Sequence, residues 1–151
     1  MPRQQRRTFT TMKLEEIERL PDRMSADELV LLFKKVLIEI ESENNDKQEF
    51  LLILNQLTDR QVMTYELLEN SVRKQVDKIL CRLWNTDSYE DVDIILSIVV
   101  NLGLEDCFTT IKQSIIQNKK IDDMILNEII ETIDEVGKNI ANPYHDLENM
   151  K

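Results

Sequence analysis

The most regular pattern in the chain is a series of apolar residues between Ser88 and Leu102. They recur at steps of three and four, which places them on one side of an α-helix. Gly103 follows, and helices commonly end at a glycine in the left-handed conformation. A second apolar series, from Leu104 to Ile115, predicts a helix that forms a hairpin with the first one. The first series consists of Tyr89, Val92, Ile95, Leu96, Val99 and Leu102, and the second of Leu104, Phe108, Ile111 and Ile115.

A third apolar series begins after Asp122 and repeats the first one at a distance of 34 residues. We expect its helix to continue past Gly137 and to end near Asn142, before Pro143. A helical hairpin that recurs at this distance resembles the repeats of HEAT-like α-solenoid proteins. The resemblance covers Trp84 to Ile140, and it implies a stack of hairpins with an extended binding surface. The matched positions are Ile95 with Ile129, Leu96 with Ile130, Val99 with Ile133, Leu102 with Val136, and Gly103 with Gly137.

Capping patterns predict where the other helices begin. In each pattern an Asp, Ser or Thr is followed three residues later by Glu, Gln or Asp, so that these side chains satisfy backbone N–H groups of the first turn. A short helix from Lys13 to Leu20 precedes them and is ended by Pro21. Thr58 is expected to open a long helix that runs to Leu83. The capping pairs are Ser25 with Glu28, Asp46 with Glu49, Thr58 with Gln61, and either Asp87 with Glu90 or Ser88 with Asp91.

These patterns predict an all-α protein of six or seven helices arranged as antiparallel αα-hairpins. The hairpins form either a HEAT-like stack or an irregular helical bundle. The three prolines lie near the ends, at positions 2, 21 and 143, and turn dipeptides typical of strand hairpins are absent from the sequence. We expect a disordered basic leader over residues 1–12, a single all-α domain over 13–142 and a polar tail over 143–151.

Charge is distributed unevenly along the chain and restricts the possible partners. The net charge is −10: residues 1–12 carry +3, residues 13–83 carry −4 and residues 84–151 carry −9. Such a surface repels nucleic acid and anionic membranes, whereas it attracts a cationic protein. The sequence contains no apolar run long enough for a membrane span. We therefore expect a cytoplasmic protein with a basic protein partner.

Aromatic and acidic residues gather at the turn between two predicted helices, within residues 84–93. Two further acids stand at the equivalent turn one repeat later. Because equivalent turns of stacked hairpins line up along one edge, we expect these residues to form a docking surface for a lysine- or arginine-rich partner. The predicted partner-binding residues are Trp84, Asp87, Tyr89, Glu90, Asp91, Asp93, Asp122 and Asp123.

One enzymatic alternative rests on paired carboxylates. The all-α nucleotide pyrophosphohydrolases of the MazG kind use Glu-x-x-Glu followed by Glu-x-x-Asp, and the chain resembles them at two pairs of acids. The resemblance implies that four carboxylates on two helix faces hold Mg²⁺. Against this alternative, no cluster of lysine or arginine stands nearby in the sequence to bind nucleotide phosphates. The two pairs are Glu66 with Glu69 and Glu90 with Asp93.

Other chemistry finds little support in the sequence. The single histidine, His145, excludes a di-iron carboxylate bundle, and no phosphate-binding glycine loop or nucleophile motif is present. Cys81 and Cys107 follow no metal-ligand spacing, so we interpret them as small buried side chains in a reducing compartment. We expect no metal, no cofactor and no enzymatic activity.

The leading hypothesis is a small, acidic, non-enzymatic interaction protein that binds and occludes a basic partner. In charge, size and fold class the chain resembles the immunity proteins that neutralise bacterial toxins. That resemblance implies a toxin with a positively charged cleft as the partner. A further hypothesis is a helical adaptor or assembly subunit that uses an exposed apolar helix face.

Overall fold

All regular structure is α-helical in the part of the chain that the computed structural model describes, residues 13–40, 46–118, 120–137 and 139–140. This confirms the predicted all-α class and helix number. The predicted leader and polar tail, with His145, lie outside the described residues. No helix among the described residues has the length and apolar character that crossing a membrane requires. The seven helices of the described residues are α1 (Leu14–Glu18), α2 (Ala26–Ile40), α3 (Lys47–Val62), α4 (Asn70–Leu83), α5 (Tyr89–Leu102), α6 (Glu105–Gln117) and α7 (Asp123–Val136).

The chain divides into two compact units, the first ending at Leu68 and the second beginning at Glu69. We call them unit 1 and unit 2 and describe each by itself. Unit 1 contains helices α1 to α3, and unit 2 contains helices α4 to α7. The prediction of one domain over residues 13–142 stays a prediction.

In unit 1, α2 packs on α3 as a hairpin and α1 packs on α3. Two predicted capping residues begin these helices. Ser25 and Glu28 form the reciprocal capping box, in which the Ser25 hydroxyl accepts from the Glu28 N–H at 3.1 Å and the Glu28 carboxylate accepts from the Ser25 N–H at 3.2 Å. Asp46 caps α3 by accepting from two backbone N–H groups of its first turn. The fully buried core includes Ile17, Leu29, Phe33, Leu51, Leu54 and Leu57.

Helix α1 has only five residues, and side chains of α3 hold both of its ends. At the start of α1, the Leu14 N–H donates to the Glu49 carboxylate at 3.0 Å. At its end, the guanidinium of Arg60 donates to the carbonyl oxygens of Ile17, Leu20 and Pro21 at 3.1, 3.0 and 2.8 Å. A helix of this length is unstable alone, so these bonds position α1 on unit 1.

The predicted helix start at Thr58 is wrong, because α3 runs through this position to Val62. The Thr58 hydroxyl donates to the Leu54 carbonyl at 2.7 Å, the bond that a threonine makes inside a helix. The Gln61 side chain does not close a capping box, and instead donates to the Glu66 carbonyl at 2.8 Å in the turn that follows. The helix that ends at Leu83 therefore begins only at Asn70.

In unit 2 the hairpin α4–α5 lies against the hairpin α6–α7. Helix α4 packs mainly on α6 and α5 mainly on α7, while consecutive helices also contact each other. Two hydrogen bonds join α4 and α6, one between Asp77 and Asp106 and one between Trp84 and Ser114. The residue that lies later on α4 bonds the residue that lies later on α6. The two helices are therefore parallel, which is the arrangement that a repeated hairpin produces.

The repeat is visible in the helix boundaries, since α5 and α7 start and end 34 positions apart. Ser88 caps α5 by accepting from the Asp91 N–H at 3.3 Å, so the helix begins at the second of the two predicted capping residues. Gly103 ends α5 in the left-handed conformation, with φ 71°, as predicted. The expectation that α7 continues past Gly137 is wrong. That glycine adopts φ 58°, a value that L-residues with a side chain rarely reach, and ends the helix.

Candidate functional site

Charge in unit 2 differs strongly between helix α4 and the packed helices α5 and α7. Helix α5 carries three acids and α7 carries five, and neither contains a lysine or an arginine. Helix α4 instead carries four basic residues and one acid. Because α5 and α7 pack on each other, their acids other than the buried Asp91 give this part of unit 2 a negatively charged surface. This surface is the structural basis of the candidate site.

At the centre of this surface the side chains of α5 and α7 meet. The Tyr89 hydroxyl and the carboxyl groups of Glu128 and Asp93 lie close enough to influence one another's charge, and Glu131 is close by. Tyr89 is 42% exposed, so its ring is accessible to a partner. We call these four residues the acidic face.

Like charges on the acidic face perturb its titration. The pKa of Glu128 lies above its ordinary value, first because of desolvation and then because of the Asp93 carboxyl and the Glu131 charge. The negative charge of Glu128 is in turn the largest cause that raises the pKa of the Tyr89 hydroxyl. The folded protein therefore disfavours the ionised form of Glu128, and a cation placed beside this carboxylate would stabilise that form.

Replacing Glu128 with glutamine should raise the stability of unit 2 at neutral pH. A carboxyl whose pKa is raised on folding contributes stability that is present below its unfolded pKa and is lost as the pH rises through the folded pKa. Glutamine does not ionise and therefore avoids this loss. The free energy of unfolding of Glu128→Gln should exceed that of the parent at pH 7, and the difference should disappear on acidification below the ordinary glutamate pKa. Urea unfolding, followed by the fluorescence of the single tryptophan, Trp84, measures this at a series of pH values. Glu135→Gln, on an exposed position of the same helix, is the control and should lack the pH-dependent advantage.

Most of the predicted partner-binding residues are exposed, and two of them belong to the acidic face. Tyr89 and Asp93 meet Glu128 and Glu131, which the sequence analysis missed. Asp122 caps α7 by accepting from the Met124 N–H, so part of its charge serves the helix start. The exposed predicted residues are Asp87, Tyr89, Glu90, Asp93, Asp122 and Asp123.

Trp84 and Asp91 are less exposed than the other predicted partner-binding residues. The indole N–H of Trp84 donates to the Ser114 hydroxyl at 3.1 Å, and the ring is half-buried between α4 and α6. Asp91 is only 4% exposed. Trp84 therefore contacts α6, and the other six predicted residues are the ones that are exposed to solvent.

The carboxylate quartet of the enzymatic alternative lacks the helical placement that it requires. Glu66 lies in the turn after α3, so it does not share a helix face with Glu69. Glu69 caps α4, where its carboxylate accepts from the N–H groups of Ser71 and Val72. Within the described residues, these carboxylates are not among the groups close enough to hold a metal ion together.

A second polar cluster lies between α4 and α6, and the sequence analysis missed it. Leu104 precedes α6 and offers no side-chain cap. Asp77 of α4 takes over this role across the helix interface: its carboxylate accepts from the Cys107 N–H at 2.6 Å and from the Asp106 N–H at 3.0 Å. The pKa of Asp77 is nevertheless raised, because desolvation outweighs these two bonds.

The thiols of both cysteines adjoin this carboxylate. Ligand atoms of Asp77, Cys81 and Cys107 all lie within 4.8 Å of one another. Cys107 is fully buried, as the sequence analysis expected, while Cys81 is half-buried. Burial, followed by the neighbouring Cys81 and Asp77, raises the pKa of the Cys107 thiol far above its ordinary value. An open groove of about 200 Å³ borders Asp77.

No protein-family model, curated protein or solved structure matches the chain. Its class is accordingly defined by its own architecture. It is an all-α protein whose unit 2 stacks two helical hairpins and concentrates acid on one pair of parallel helices.

Proposed function

We propose that the protein is a non-enzymatic interaction protein that binds a basic protein partner through the acidic face. The observation that carries this proposal is the packing of α5 on α7, two helices that together hold eight acids and no base. A surface of this kind draws in a cationic partner by long-range attraction and accelerates association. The proposed role is that of an immunity or inhibitor protein, with a toxin that has a basic cleft as the partner and the cytoplasm as the location.

The chemistry of the acidic face suits a lysine or arginine side chain. The pKa of Glu128 is raised first by desolvation and then by the neighbouring carboxyl groups, and a guanidinium or ammonium group between Glu128 and Asp93 would neutralise the repulsion between them. The exposed ring of Tyr89 adjoins these carboxylates and adds contact area, and aromatic residues often dominate binding energy at interfaces. A HEAT-like stack of hairpins, the arrangement that we propose for unit 2, presents such a face on a rigid support.

The charge-reversed variant Asp93→Lys/Glu128→Lys should lose binding to the natural partner. The partner is first captured from the native host with immobilised full-length protein and identified by mass spectrometry. Association rates are then measured at several salt concentrations, and the variant should associate at least about 10-fold more slowly at low salt. The parent's association rate should fall steeply as salt is added.

The matched control for this experiment is Glu18→Lys/Asp22→Lys. Both residues are exposed in unit 1, and the control changes the net charge by the same amount. It should slow association far less, because its charges lie outside the acidic face. If both variants lost association rate equally, the effect would come from net charge alone, and this result would contradict the proposed site. Association that does not depend on salt would contradict the electrostatic mechanism.

A second candidate, an assembly subunit that associates with copies of itself, is favoured by two exposed apolar side chains on α2. Leu31 is 67% exposed and Ile38 is 73% exposed, and their spacing of seven residues places them on one side of the helix. Self-association through them would be apolar and therefore insensitive to salt. Sedimentation of the parent and of Leu31→Ser/Ile38→Ser tests this candidate. A monomer at all salt concentrations would remove it.

A further inference from the structure

The cluster of Asp77, Cys81 and Cys107 has the geometry of a chelating site. Asp77 and Cys81 are four residues apart on α4, so their side chains lie one above the other on the same helix face. Pairs of ligands at this spacing hold metal ions in other helical sites. Cys107 comes from the parallel helix α6 and completes a triangle of donors within 4.8 Å of one another.

Two of the three donors are also held by further hydrogen bonds. The carboxylate of Asp77 accepts from the N–H groups of Asp106 and Cys107, and the Thr110 hydroxyl donates to the Cys81 sulfur at 3.6 Å. Ligands of natural metal sites are oriented by outer contacts of this kind. The carboxylate keeps free lone pairs, because each oxygen accepts only one of the two bonds.

Burial distinguishes these donors from surface carboxylates. Cys107 is fully buried and Asp77 is 7% exposed. Glu105 and Asp106 add negative charge beside Asp77, whereas Arg73 and Lys74 line the groove that borders it. The Asp77 carboxylate is explained by the cap that it provides for the start of α6, but the cap does not explain why two sulfur atoms lie beside it. The groove that borders Asp77 gives room for a water molecule as an additional ligand.

We propose that Asp77, Cys81 and Cys107 form a binding site for a thiophilic divalent cation of the Zn²⁺ class. Two thiolates and one carboxylate are ligands that Zn²⁺ accepts, with water in the fourth tetrahedral position. The two thiols release their protons to solvent as the Zn–S bonds form, and no electron is transferred. The site joins α4 to α6, so the bound ion stabilises unit 2. This proposal is independent of the acidic face.

Cobalt titration of the full chain tests the site directly. The protein is reduced with a phosphine, freed of metal with a chelator and titrated with Co²⁺. We expect sulfur-to-cobalt charge-transfer absorption in the near ultraviolet and visible bands of tetrahedral Co²⁺, both saturating at one ion per chain. Added Zn²⁺ should abolish these bands and raise the melting temperature of the protein.

Two variants decide whether the proposed ligands carry the signal. Cys81→Ser changes a half-buried position and should lose the charge-transfer band and bind Co²⁺ at least about 10-fold more weakly. Asp77→Asn should weaken binding as well, whereas Asp106→Asn, which removes a neighbouring charge but no ligand and leaves the backbone N–H in place, should weaken binding far less. Circular dichroism confirms that each variant is folded, and a variant that fails to fold is replaced by Cys107→Ala.

Three results would overturn the proposal. The first is the absence of a charge-transfer band at saturating Co²⁺ in the reduced protein. The second is an octahedral Co²⁺ spectrum that Cys81→Ser leaves unchanged, since this would locate the ion on surface carboxylates. The third is a Cys81–Cys107 disulfide that persists in the phosphine, because its sulfur atoms cannot act as thiolate ligands.

Discussion

Replacing Arg60 with alanine is expected to destabilise unit 1 by about 3 kcal/mol, the scale of losing several hydrogen bonds to a buried charged group. The side chain is only 4% exposed, and its guanidinium bonds the carbonyl oxygens of Ile17, Leu20 and Pro21. Alanine leaves these acceptors at the end of α1 without their donor. Because α1 is too short to persist alone, the loss should detach it from α3.

Urea unfolding monitored by far-ultraviolet circular dichroism measures the effect of Arg60→Ala. Arg19→Ala is the matched control, because Arg19 is exposed, belongs to the same unit and makes an ion pair with Glu15 at 3.9 Å. Exposed pairs of this kind contribute roughly 0.3 to 0.5 kcal/mol. The loss of stability in Arg60→Lys should lie between those of Arg60→Ala and Arg19→Ala, because an ammonium group cannot bond all three carbonyl oxygens at once. Similar losses for Arg60→Ala and Arg19→Ala would show that α1 does not depend on these bonds.

The sequence predicts a helix boundary well where the boundary is made by residues adjacent in the chain. Ser25 with Glu28, and Ser88 with Asp91, act within one turn, and Gly103 acts at the helix end itself. The break after α3 is different, because it is made by Gln61 reaching the Glu66 carbonyl in a turn that contains no glycine or proline. The same Thr58–Gln61 spacing that predicts a helix start is also compatible with a helix interior.

The contacts that hold each unit together could not be predicted from periodicity. The bond from Arg60 to Ile17 joins residues 43 positions apart, and the bond from Cys107 to Asp77 joins residues 30 positions apart. Periodicity reports which residues share one helix face, and it says nothing about which side chain of another helix meets that face. A buried arginine and a buried aspartate therefore look like ordinary surface residues in the sequence.

The predicted partner-binding residues and the acidic face overlap only at Tyr89 and Asp93. The sequence pattern predicts a docking surface at the inter-helix turns, around Asp87 and Asp122. In the structure α5 lies beside α7, which brings Asp93 against Glu128 along the helices themselves. The repeat distance of 34 residues contained this information, because Glu128 stands 35 positions after Asp93. The spacing becomes a contact between Asp93 and Glu128 because α5 and α7 pack on each other.

The second large effect is expected for Asp77→Ala, which should destabilise unit 2 by about 2 kcal/mol. The substitution leaves the N–H groups of Asp106 and Cys107 without an acceptor at the start of α6, and Cys107 is fully buried there. Part of the loss is offset, because removing the carboxylate also removes the desolvation that raises its pKa. The fluorescence of Trp84, which is hydrogen-bonded to Ser114 of α6, reports this unfolding in the presence of a metal chelator.

Two further substitutions separate the cap from the charge of Asp77. Asp77→Asn keeps one acceptor oxygen and no charge, so it should lose less stability than Asp77→Ala. Asp106→Ala removes an exposed first-turn carboxylate but no cap, and it should change stability by less than about 1 kcal/mol. If Asp77→Ala were as stable as the parent, the helix start would be satisfied without the cross-helix bonds. The buried aliphatic side chains alone would then hold α4 and α6 together.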